Sequence, residues 1–94
     1  MLKAKHTAEM GFPESRCGTR FLRCAVNYVM EKPPFEEIRM MEDVYSHVAE
    51  TFGKTVSHVE KGIREAIRAA GYEMTSKSMI LLLADRARDG EFDD

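Results

Sequence analysis

Ninety-four residues suit one small domain with a single modest core. The chain is 44% hydrophobic and 32% charged, the balance of a folded globular protein and not of a disordered one. Its formal charge of −2 argues against a strong sequence-independent nucleic-acid binder, and its longest apolar run, Met79–Ala84, falls far short of the roughly 20 residues that a membrane span needs.

In chain order, residues 2–10 predict a short helix that Gly11 and Pro13 end. A second helix is expected from about Arg20 to Glu31. Phe21, Leu22, Ala25, Val26 and Val29 form its apolar stripe, and Arg20, Arg23 and Asn27 face away. Pro33-Pro34 stops it, because neither proline continues a helix, and Phe35–Arg39 reads as a short helical turn. The next helix covers about Met41–Phe52, with Val44, Val48, Ala49 and Phe52 inward, and Gly53 breaks it. Another spans about Val56–Ala70, with Val56, Val59, Ile63, Ile67 and Ala70 inward and Gly71 as its C-cap. The last takes Ser78–Arg88, and an acidic tail follows from about residue 89. No strand alternation, internal repeat or second-domain linker interrupts this pattern. The expected fold class is therefore all-α, with residues 1–94 as one small bundle of about five helices.

Charge is segregated along these elements. Lys and Arg against Asp and Glu leave +3 over residues 1–30, −4 over 31–50, +2 over 51–70 and −3 over 71–94. A nucleic-acid surface needs local positive charge, so the overall balance leaves one open. The N-terminal MLKAKHTAEM has no apolar signal-peptide core, which makes a soluble cytoplasmic protein the expectation.

Gly53-Lys54-Thr55 has the form of the tail of a phosphate-binding loop. The full loop needs a glycine five residues earlier and a leading strand. Position 48 is Val48 and the preceding spacing is helical, so the nucleotide reading fails. A helix-turn-helix fits instead. It asks for a small residue where the second helix crosses the first, a turn glycine at positive φ, and apolar anchors on both helices. Ala49 is the small residue, Gly53 the turn, Val48 and Phe52 the first helix's anchors, and Val59 and Ile63 the second's. Gly62 lets the second helix approach a neighbour closely. Ser57 begins an expected capping box with Glu60. Around the exposed side come Ser57, His58, Lys61, Arg64 and Arg68, the residue types that reach base edges and phosphates in a major groove. With Lys54 and Thr55 in the turn and Glu60 beside them, they are the candidate DNA-binding set. A solvated face laced with pairs such as Glu60–Arg64, with Glu65 near Lys61 and Arg68, is the other reading of the same residues.

The stretches AEMGFP, GTRFLRCAV, VYSHVAETFGKTVSHVEKGIREAIRAA and SMILLLADRAR resemble, in this order, the DNA-binding effector domain of the stage-zero sporulation response regulator family. The resemblance implies an all-helical fold with a helix-turn-helix and a transcriptional regulator that binds short double-stranded DNA boxes as tandem copies, with RNA polymerase as a further candidate partner. It places base reading at the start of the recognition helix, on residues matched here by Ser57, His58, Glu60, Lys61 and Arg64. His58 and Lys61 stand where that family commonly has arginine, and the stretch from Gly71 to Ser78 is shorter than the family's usual one. No receiver domain is expected before these elements, and with it no phospho-aspartate switch. A helical protein-interaction module that kept the fold and lost DNA binding is the alternative, supported by the acidic segment 31–50.

Other chemistry finds little footing. His6, His47 and His58 have no metal-ligand spacing with each other or with the cysteines, and neither a metal, a cofactor nor an enzymatic activity is expected. Seven residues along one helix would separate Cys17 from Cys24 by about 10.5 Å, beyond the roughly 7 Å that a disulfide spans. Gly18 is expected to leave Cys17 outside the helix, which leaves a bridge open, but two reduced thiols are the favoured reading for a cytosolic protein. Glu36, Glu37, Glu42 and Asp43 read as a solvated acidic surface, the seven methionines as core filler, and Met40-Met41 as a lesser candidate partner surface. The run Met79–Ala84 covers every face of a helix, so part of it is expected to meet a second copy of the chain. Met79, Leu82 and Leu83 are the candidate dimer residues on tandem sites, with Arg86 and Arg88 as rim charges.

Overall fold

The computed structural model describes residues 1–33 and 37–92. Its helices are α1 (Ala4–Glu9), α2 (Cys17–Met30), a π-helical turn (Met40–Tyr45) that runs into α3 (Ser46–Phe52), α4 (Val56–Ala69) and α5 (Ser76–Arg88). No strand occurs among the described residues. α2 is the centre of the bundle, and α4 and α5 pack on it. Phe21, Leu22, Ala25, Val26 and Val29 bury its predicted stripe against Val59, Ile63 and Ile67 of α4 and Ile80 and Leu83 of α5 in one continuous core.

α2 begins three residues before the sequence expectation, and Cys17 is its first helical residue. The cause is Gly18. Read alone it is a helix breaker, yet here it is the contact at which α2 meets α4. A Cβ at Gly18 would run into the backbone carbonyl of Gly62. Gly62 is the reciprocal partner, with the Phe21 ring 3.1 Å from where its own Cβ would stand. Nor do Arg23 and Asn27 simply face away. The Asn27 amide accepts from Leu2 N at 2.9 Å and donates to Leu2 O at 3.1 Å. Arg23 donates to Thr7 Oγ1 at 3.0 Å and to Glu14 Oε2 at 3.1 Å. Both side chains tie the N-terminal segment to α2, which apolar periodicity does not register.

The helix expected from Met41 has two parts. Val44 N reaches back five residues to the Arg39 carbonyl at 3.4 Å, the hydrogen bond of a π turn, before α-helical bonding takes over at Ser46. A three- and four-residue apolar spacing does not distinguish this wider turn from an α turn. Arg39 has extended backbone, so residues 37–39 form no helical turn; the rest of the stretch expected there lies outside the described residues. Val44, Val48 and Ala49 are buried as expected, while Phe52 is half-buried with its ring edge-on to Phe21 at 5.1 Å. Gly53 takes φ 66° and ψ 38°, the left-handed conformation that lets three residues turn the chain from α3 into α4.

α4 is capped by Thr55 and not by Ser57. Thr55 Oγ1 accepts from His58 N at 3.1 Å, Ser57 lies inside the first turn, and no Ser57–Glu60 capping box forms. Thr75 likewise starts α5 two residues early by accepting from Ser78 N at 3.1 Å. In both cases a threonine with extended backbone precedes the serine nearer the apolar run, and only the backbone angles select between them. Arg88 closes the far end of α2 by donating to Val29 O at 2.9 Å. Met79, Ile80, Leu83 and Ala84 are core residues and Leu81 is half-buried, so most of the apolar run is used inside the bundle. Of the three residues expected at a dimer surface, Met79 and Leu83 point inward, and Leu82 alone is exposed, at 38%.

Two stability outcomes follow. At Gly18→Ala, helix propensity returns at most about 1 kcal/mol, while overpacking against backbone costs about 1–3 kcal/mol or more. The urea midpoint is expected to fall with an unchanged m-value. At Gly62→Ala the new methyl meets a ring edge that can move a few tenths of an ångström, so the two effects cancel and the midpoint stays near the parent's. Equal losses at both positions would show that the helices do not cross at Gly18. Thr55→Ala is expected to cost about 1 kcal/mol as a lost cap, whereas Ser57→Ala leaves the midpoint unchanged or slightly raised.

Candidate nucleic-acid interface

Residues three and four apart share one side of a helix. On α4 this places Ser57, Lys61, Arg64 and Arg68 in a single row, and all four are exposed. The opposite side carries the buried Val59, Ile63, Ala66 and Ile67. α4 thus divides cleanly into a face that holds it in the bundle and a face made of one hydroxyl, one amine and two guanidiniums. Its first turn contains no acidic residue, so the partial positive charge of the helix N-terminus is uncompensated there.

His58 and Glu60 flank this row on opposite sides. His58 is exposed and packs its ring edge-on to Phe21 at 5.9 Å, beside the junction with α2. Glu60 is half-buried, and Arg64 Nη1 donates to both of its carboxylate oxygens at 3.0 and 2.8 Å. An exposed pair of this i,i+4 type contributes about 0.3–0.5 kcal/mol, so it orients Arg64 without sequestering it. Thr55 is exposed, and its hydroxyl oxygen is engaged as the cap of α4. Lys54 is exposed in the turn, with its backbone N–H bonded to Ala49 O at 2.9 Å. All eight candidate residues therefore lie on α4 or in the turn before it.

Sequence reading missed Arg16, which lies 38 positions before Lys54. It lines a cleft of about 330 Å³ between the start of α2 and α4, together with His58, Lys61 and Glu65. It also borders a second cleft with Glu65, Arg68 and Ala69. No sequence signal marks it, because only the Gly18–Gly62 contact brings α2 to this height on α4.

No other cluster of reactive groups forms among the described residues. Among the described residues no three of His, Cys, Asp and Glu converge as a metal site, and no helix is long and apolar enough to cross a membrane. Burial pushes the Cys24 thiol up, against a hydrogen bond with Thr51 and helped by the Glu31 charge, which is the reverse of what activates a nucleophile. Comparison with curated proteins and with solved structures gave no significant match. A family match does exist: the C-terminal domain of sporulation initiation factor Spo0A, over residues 4–89. That span contains every helix described above, from the first residue of α1 to the last of α5. The family is a sporulation-related, DNA-binding regulatory domain, the effector part of a response regulator. The chain belongs to the sporulation initiation factor Spo0A C-terminal domain family.

Proposed function

We propose that residues 1–94 act as one sequence-specific, double-stranded-DNA-binding unit of a transcriptional regulator linked to sporulation, working in the cytoplasm. α3, the Gly53 turn and α4 form the helix-turn-helix, and α4 enters the major groove. The observation that carries this reading is the exposed row Ser57, Lys61, Arg64 and Arg68 on a helix whose other side is wholly committed to the core. Ser57, His58, Glu60, Lys61 and Arg64 face base edges; Lys54, Thr55 and Arg68 lie at the two ends, towards phosphates. Glu60 suits the exocyclic amine of cytosine, and Arg64 the paired acceptors of guanine. Adjacent copies on tandem sites meet through α5 at Leu82, and RNA polymerase is the partner that a DNA-bound regulator addresses.

A protein-interaction module is the second reading, favoured by one observation. Glu60 engages Arg64, and Glu65 lies between Lys61 and Arg68, so carboxylates interrupt the cationic row. Selection from a random duplex pool followed by salt titration separates the two. A DNA reader yields a consensus and loses affinity steeply with salt, and an interaction module does neither.

On the selected duplex, Lys61→Ala is expected to cost about 1–3 kcal/mol and to relax preference at one base pair. Arg64→Ala is expected to do the same at a neighbouring pair. Arg68→Ala should weaken all sequences alike and flatten the salt slope. Repeating the selection with each variant reads the difference directly, and unchanged binding in both Lys61→Ala and Arg64→Ala would favour the interaction module.

A further inference from the structure

One flank of α4 is built by a different helix. Arg16 is the N-cap residue of α2, with φ −91° and ψ 133°, and its side chain makes no capping hydrogen bond. It is exposed, and among the described residues it has no ion pair. Its side chain borders the cleft with Lys61 on one side and the cleft with Arg68 on the other. Its height along α4 is set two residues later, where Gly18 lies directly on Gly62 with no side chain between them. Arg16 therefore cannot slide along α4 without breaking the close Gly18–Gly62 approach of the two helices.

A helix with its side chains is about 10–12 Å across, and the major groove is about 12 Å wide. A recognition helix thus fills the groove, and the elements beside it face the phosphate walls and not the bases. Resting on the DNA-binding reading of α4, we propose that Arg16 is a phosphate anchor that makes the start of α2 a second DNA-contacting element. Arg16, Lys61 and Arg68 surround a single carboxylate, Glu65, which leaves this flank with a local excess of positive charge in a chain whose net charge is −2. The contact carries no base information. It fixes how far α4 enters the groove and in which register, as contacts to the DNA backbone do.

The test titrates the wild type and the Arg16→Ala, Arg16→Lys and Lys61→Ala variants against a duplex selected from a random pool and against a scrambled duplex of the same length. Fluorescence anisotropy is followed over a range of NaCl. Arg16→Ala is expected to weaken both duplexes alike, about eight-fold near 100 mM salt, and to make the slope of log K against log salt shallower by about 0.9. Arg16→Lys should recover most of the loss, since a phosphate accepts a point charge, and Lys61→Ala should lose more on the selected duplex than on the scrambled one. Wild-type affinity and slope in Arg16→Ala would overturn the anchor while leaving the DNA-binding reading intact. So would a loss confined to the selected duplex, or no recovery with lysine. A wild type that binds neither duplex in a salt-dependent way would overturn both.

Discussion

The contact on which the arrangement depends is the crossing of α2 and α4 at Gly18 and Gly62. Two helices normally keep 8–10 Å between their axes because side chains separate them. At this crossing neither helix has a side chain to interpose, and the space that a Cβ at Gly18 would need is filled by a backbone carbonyl. Each glycine gives up about 1 kcal/mol of helix propensity relative to alanine. That loss is offset by bringing Phe21, Val59 and Ile63 into one core with almost no solvent access. The stripe of α2 and the inner face of α4 would otherwise be held apart.

The same contact decides what α4 can present. With Val59, Ile63, Ala66 and Ile67 buried on one side and Gly62 seated on α2, the rotation of α4 about its own axis is determined. Ser57, Lys61, Arg64 and Arg68 have nowhere to go but outward. The turn reinforces this placement. Gly53 in the left-handed region brings the chain round, and Thr55 caps α4 one residue before its start, so a side-chain hydrogen bond holds the first exposed turn. On the DNA-binding reading proposed above, a capped helix start matters because hydrogen bonds to base edges tolerate little displacement. A bundle of this size therefore uses its core chiefly to orient one helix.

Several elements were legible because they rest on local rules. Apolar spacing located α2, α4 and α5 and the buried faces of α2 and α4, and Gly53 at the α3–α4 junction was readable as a positive-φ turn. Other elements were not. Thr55 over Ser57, and Thr75 over Ser78, turns on which backbone is extended, and composition does not show that. The π turn at Met40–Tyr45 shares its apolar pattern with an ordinary α turn. Asn27 and Arg23 read as solvent-facing until the N-terminal segment folds back on them. The Met79–Ala84 run looked too apolar for one helix face, yet Met79, Ile80, Leu83 and Ala84 share one face of α5 and are core, which leaves Leu81 half-buried and Leu82 exposed.

The sequence by itself determined the all-helical class, the helix–glycine–helix unit and the cationic row on α4, because each depends on side chains within a few residues of one another. Only the tertiary structure decided that Gly18 is a crossing point and not a helix stop, that Arg16 stands beside Lys61 and Arg68, and that Leu82 is the exposed member of its run. These depend on which helix lies against which, at separations of tens of residues. A contact of that kind leaves no period in the chain, since the residues that make it are chosen by the shape of the space between two helices.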